Sequence, residues 1–123
     1  MIIKQTCGLR GKNQLRIQKI DIGLLDSSYN ITVAKGLVLS EKSEINYFTL
    51  DLPRDLIGVI LNINDYGYCK IRYDKTTLKA LTANLHRIQD PLTRAQILRN
   101  LWNEVIDLNF SSLAYFEMAV NQL

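Results

Sequence analysis

Apolar residues recur along this chain with two different periods. In the first 73 residues they alternate with polar ones. Leu15, Ile17, Ile20, Ile22 and Leu24 are interleaved with Arg16, Gln18, Lys19, Asp21 and Gly23, and one slip at Lys19 predicts a β-bulge. Ile31, Val33, Leu37 and Leu39 repeat the pattern around a break at Lys35-Gly36. Further runs are Ile45, Tyr47, Phe48 and Leu50, then Ile57, Val59, Leu61 and Ile63, then the alternation from Tyr68 to Tyr73, with Ile2, Ile3 and Thr6 as a short opening strand. Polar clusters at 7–13, 26–30, 40–43 and 64–67 supply the turns. Six short strands with no helix between them predict an antiparallel β-sandwich through about Tyr73.

The period changes at Asp74. Leu78, Leu81, Leu85 and Ile88 share one helical face. Asp90-Pro91 is a helix start, with a carboxylate to accept from free N–H groups and a proline suited to the first helical position. Leu92, Ala95, Leu98, Trp102, Val105 and Ile106 form the stripe of a second helix, and Ser111 or Ser112 is placed to cap a third. Helices are therefore expected near 76–88, 91–108 and 112–122. The division is a β-sandwich over 1–74, lacking its first strand, and the first three helices of a helical domain over 75–123. The third helix carries Leu113, Phe116, Met118, Val120 and Leu123 on more than one side. A helix apolar on several sides expects a neighbour, so the chain reads as part of something larger, or as a chain that self-associates through residues 110–123.

Composition adds exclusions. The 123 residues are 47% hydrophobic and 22% charged, ordinary for a globular chain. The net charge of +3 is too weak to announce nucleic acid. It resides in residues 1–73, where ten Lys/Arg face seven Asp/Glu, and the alternation of cations with apolar residues predicts the wet face of a half-exposed sheet. No apolar run is long enough to span a membrane and no signal peptide is visible, which favours the cytoplasm. Cys7 and Cys69 form no disulfide framework, and reduced, buried thiols are the simplest reading.

Catalytic chemistry is hard to find. The single histidine, His86, has only Asp90 nearby, at i+4, which is ordinary helix-end pairing. Gly8 and Gly11 bracket a basic loop, but a strand follows where a phosphate cradle needs a helix. Asn30-Ile31-Thr32 and Asn109-Phe110-Ser111 match the short glycosylation pattern. The residues indicate no catalytic site, no cofactor and no metal.

One stretch is more specific. Residues 62–74, Asn62-Ile63-Asn64-Asp65-Tyr66-Gly67-Tyr68-Cys69-Lys70-Ile71-Arg72-Tyr73-Asp74, precede Leu78 and Leu81, then Ile88-Gln89-Asp90-Pro91-Leu92-Thr93-Arg94-Ala95-Gln96-Ile97 and Leu101-Trp102. This resembles the junction between the last sandwich strand and the D-P-L-x-R-A helix start in zinc aminopeptidases of the aminopeptidase N family. Ile3-Lys4-Gln5-Thr6 and Lys19-Ile20-Asp21-Ile22-Gly23-Leu24-Leu25-Asp26 are similar to two earlier strands of that family, in the same order. The resemblance implies a β-sandwich and helical wall next to a catalytic part that lies outside this chain. The zinc motif and the G-x-M-E-N motif are absent here, so zinc and peptide substrate are implied for the parent alone. The implied roles are structural: Asn64, Asp65 and Gly67 shape the turn into the last strand, and Asp90 and Pro91 start the second helix. Arg94 pairs with Asp90, and Trp102 fills the inter-helix core. Competing readings are a free-standing sandwich-and-helix interaction module and a relative that has lost catalysis.

Overall fold

The computed structural model describes residues 1–8, 12 and 14–122. The Gly11 half of the basic loop and Leu123 of the last apolar set lie outside them. Five strands come first: β1 Ile2–Lys4, β2 Gln18–Asp26, β3 Ile31–Leu39, β4 Ile45–Tyr47 and β5 Leu56–Leu61. Three helices follow: α1 Lys75–Asn84, extended by a 3₁₀ turn Leu85–Arg87, α2 Pro91–Ile106 and α3 Ser112–Asn121. The fold is β then α. No helix falls within 14–63 and no strand after 80 among the described residues.

All pairing is antiparallel. β1 and β4 form a ribbon, and β3-β2-β5 form a three-stranded sheet. Alternation along β2 explains how the two stack. Ile20, Ile22 and Leu24 point to one face, where Ile3 of the ribbon, Leu37 and Leu39 complete a cluster. Leu25 points the other way, into a second cluster with Ile60, Ile63, Leu81, Leu85, Ile88, Ile97, Leu101 and Met118. Ribbon, sheet and helices therefore make three layers with β2 in the middle.

Lys4, Lys12, Arg16 and Lys19, cations of the expected wet face, are exposed. Beyond Lys19 the strand β2 is covered on both sides: every residue from Ile20 to Leu25 is buried, including Asp21 and Gly23. Gly23 fits because it has no side chain: a Cβ there would lie 2.5 Å from Ile63 Cδ1 and 2.9 Å from Ile31 Cγ2. Asp21 fits because both carboxylate oxygens are used. Oδ1 accepts from the Gly36 amide at 2.8 Å and Oδ2 from Asn64 Nδ2 at 2.6 Å. The bulge is also elsewhere than at Lys19. The register shifts between Ile20 and Ile22, where Lys35 and Gly36 together oppose Asp21. Gly36 has φ +70°, a left-handed bulge conformation that glycine adopts without steric cost.

The expected sixth strand is absent. Tyr68–Tyr73 runs without turn or bend but pairs with no strand. Alternation specifies two faces, whereas a ladder also requires a neighbour, and none of the described residues supplies one. The open side of β5 is closed by a helix instead, since the Val59 amide donates to Thr77 Oγ1 at 2.9 Å. The thiols are not buried either: Cys69 is exposed and Cys7 is half-buried.

The packing around Gly23 gives a direct test. Gly23→Ala is expected to destabilise the chain by about 1–3 kcal/mol through overpacking. Gly8→Ala, where an added Cβ meets nothing within 4 Å, should have little effect. Urea unfolding of both variants measures the difference.

Candidate functional site

Residues 62–74 join the sheet to α2 through a series of side-chain hydrogen bonds. The first of them is Asn62, fully buried and in the left-handed region at φ 55°. Its side chain holds Gly67 twice, Oδ1 accepting from the Gly67 amide at 2.9 Å and Nδ2 donating to the Gly67 carbonyl at 2.7 Å. This closes the turn without a ladder. The Asn62 carbonyl in turn accepts from Gln96 Nε2 on α2.

Three further contacts lie along α2. Arg99 meets Asp65 with two bonds, Nη2 to Oδ1 at 2.7 Å and Nη1 to Oδ2 at 2.9 Å. Asn100 Nδ2 donates to the Tyr73 hydroxyl at 3.0 Å, and burial pushes that phenol up to about 12. Lys70 and Arg72 share Asp107 at 2.9 and 3.5 Å. The buried face of α2 alternates apolar Ile97 and Leu101 with Thr93, Asn100 and Glu104. Glu104 Oε1 is buried with no hydrogen-bond partner among the described residues, a destabilising arrangement.

The residues singled out from sequence fall as follows. Asn64 ties the turn to Asp21, Asp65 faces Arg99, and Gly67 is clamped by Asn62. The turn they shape leads into the unpaired segment rather than into a strand. Asp90 caps α2, accepting from the Thr93 amide at 2.8 Å and the Leu92 amide at 3.4 Å, with Pro91 in the first turn. Arg94 forms no close ion pair with Asp90, although its charge helps to hold that carboxylate low. Its guanidinium donates to the carbonyls of Ile88 and Gln89, fixing the 3₁₀ turn against α2. Trp102 does not fill the inter-helix core. It is 47% exposed and lies edge-tilted on Tyr115, ring centroids 5.3 Å apart. The reason is that α2 is apolar on two faces. Leu92, Ala95, Trp102 and Ile106 share the outer one, while Ile97 and Leu101 take the core.

Sequence reasoning assigned no role to Asn62, Arg99 or Tyr29. Tyr29 is buried in the β2–β3 turn at φ 66°, donates to the Ala80 carbonyl at 2.9 Å and lies under the Arg87 guanidinium. Asn62 stands in the stretch 62–74, but nothing in its type marks it as the clamp on Gly67. A tyrosine in a polar turn carries no signal either.

No set of three His, Cys, Asp or Glu side chains among the described residues could hold a metal, so they do not fit a zinc ion. The His86 ring meets Gln122, Nδ1 to Oε1 at 2.8 Å, rather than an acid. No helix among the described residues is long and apolar enough to cross a membrane.

Large apolar side chains are exposed at both ends of the stack. Ile2, Ile45 and Tyr47 lie on the outer face of the ribbon. Leu92, Trp102 and Ile106 of α2 and Leu113, Phe116 and Val120 of α3 point away from the core on the helical side.

The family model described as ERAP1-like C-terminal domain matches residues 58–122, from β5 through α3. The chain is 26% identical over 121 residues to a protein named Aminopeptidase N from Streptomyces lividans. That alignment takes in 93% of this chain and 14% of the relative, so the chain spans a small part of the relative's length. No solved structure matches it. With more than half of its residues matched, the chain belongs to the ERAP1-like C-terminal domain family.

Two outcomes test the junction. Asn62→Ala leaves both Gly67 backbone groups unbonded and is expected to cost about 1–3 kcal/mol, whereas Arg99→Ala, at a half-exposed ion pair, should cost about 1 kcal/mol or less. Chemical denaturation ranks them. Acid should also loosen the junction. Asp65 is held below the usual carboxylate range by Arg99, Asp107 by Lys70, Asp90 by the Thr93 hydroxyl and Asp21 by the Gly36 amide. The unfolded chain then binds these protons more tightly. Stability is full above the ordinary carboxylate pKa of about 4 and falls as pH drops through the lowered values. Thermal melts between pH 7 and pH 2 measure it.

Proposed function

We propose that this member of the ERAP1-like C-terminal domain family is a non-catalytic scaffold portion of an aminopeptidase-like protein. On this reading the larger protein is a zinc metallopeptidase that removes N-terminal amino acids from peptides. Zinc and the peptide-binding groups belong to its other parts. Residues 1–74 are its β-sandwich portion and residues 75–123 the first helices of its helical domain. The likeness to Aminopeptidase N along nearly the whole chain supports this assignment.

The observation that carries the scaffold role is the pair of apolar faces at opposite ends of the stack. A spacer between two parts of a larger protein needs one such face toward each. The ribbon face with Ile2, Ile45 and Tyr47 would meet one neighbour, and the α2–α3 face with Trp102, Leu113, Phe116 and Val120 the other. Burying a large side chain of this kind is worth about 1.5–3 kcal/mol, so uncovered faces drive association.

Separated from those neighbours, the chain is expected to self-associate through residues 110–123. Sedimentation across a concentration series should show oligomers for the chain as given and a shift toward monomer for Phe116→Glu, whose side chain is 65% exposed and so tolerates the change in the fold. A compact monomer at every concentration, with no effect of the substitution, contradicts the scaffold reading and favours a free-standing module.

A further inference from the structure

Residues Tyr68–Tyr73 have the sequence of a strand and run without turn or bend but lack a sheet. None of their backbone N–H or C=O groups bonds to another backbone group among the described residues. The segment is nevertheless fixed at many points. Asn62 holds Gly67 at its start, Ile71 is buried at its middle, the Tyr73 hydroxyl meets Asn100, and Asp74 caps α1 by accepting from the Thr76 and Thr77 amides at 2.9 and 3.0 Å. Side chains alternate from Lys70 to Tyr73, while Cys69 before them is exposed. Ile71 and Tyr73 face inward, while Tyr68, Lys70 and Arg72 are outward, Tyr68 being 98% exposed. A held, extended backbone with unpaired donors and acceptors is a template for an added strand.

The outward side chains say what would add. Lys70 and Arg72 share the single carboxylate of Asp107, which leaves one positive charge over. An acidic side chain opposite either one makes a favourable cross-strand pair, and a basic one is repelled. Tyr68 offers an aromatic ring to a β-branched neighbour.

We propose that Tyr68–Tyr73 is a β-augmentation edge that binds an extended, acidic polypeptide segment as an additional strand. Main-chain hydrogen bonds supply the affinity, and Lys70 and Arg72 supply the charge preference. The proposal does not rest on the scaffold reading, because the apolar faces of the ribbon and of α2–α3 remain as they are if it fails.

The test uses the whole chain and a seven-residue capped peptide of alternating threonine and glutamate. Amide hydrogen exchange of residues 68–73 is read by NMR with and without saturating peptide. The expected result is at least tenfold slower exchange in this segment. The protection should vanish with the same peptide N-methylated at alternate residues and with lysine in place of glutamate. The double variant Lys70→Glu/Arg72→Glu should reverse the preference toward the lysine peptide while the β2 amides stay protected, which shows that it is folded. Unchanged exchange overturns the proposal. So does equal protection by the N-methylated or lysine peptide. Protection that rises with protein concentration in the absence of peptide also overturns it, since the edge then pairs with a second copy.

Discussion

The structure depends on covering both faces of one strand. β2 has no solvent side: the ribbon closes over Ile20, Ile22 and Leu24, and the helices close over Leu25 with Ile60 and Ile63. This requirement reaches each layer. It admits glycine where Ile31 and Ile63 meet over the strand, and it needs a fully bonded carboxylate at Asp21. The bulge at Lys35-Gly36 and the Asn64 amide supply the partners of that carboxylate together. The strand, its bulge and the turn after β5 therefore form one unit.

That unit continues into the helices through residues 62–74. Asn62 shapes the turn from inside and passes its carbonyl to Gln96. Arg99, Asn100 and Asp107 then take hold of Asp65, Tyr73 and Lys70 in turn. Several of these contacts are half-exposed and individually worth little. Their value is in orientation, because they fix α2 on the sheet while Ile97 and Leu101 supply the burial. The same orientation leaves the second apolar face of α2 outward, beside that of α3.

Much of the fold was legible in the sequence. The change of period at Asp74 separates strands from helices, and Asp90-Pro91 and Ser111 mark the helix starts where the structure has them. The illegible parts share a cause. Alternation at Tyr68–Tyr73 defines faces but names no neighbour, so a strand was expected where an unpaired segment lies. At β2 the alternation marks Asp21 and Gly23 as one face of a strand, but a sequence does not show that a second layer covers them. On α2 the apolar stripe from Leu92 to Ile106 places Trp102 in the inter-helix core, yet the core uses Ile97 and Leu101 with polar Thr93, Asn100 and Glu104 between them. Two apolar faces on one helix cannot be ranked without knowing which one the sheet occupies. The link from Asn62 to Gly67 spans five residues, and its role follows only from burial.

The central claim is that sheet and helices are one cooperative structure organised around β2. Native-state hydrogen exchange across a series of low denaturant concentrations tests it most directly. The account predicts that the amides of Ile22–Leu25 and those of Ile97 and Leu101 exchange through the same global opening, with equal free energies and equal denaturant dependence. Helical amides that remain protected after the β2 amides have opened, or the reverse, would show two separately unfolding units and contradict it.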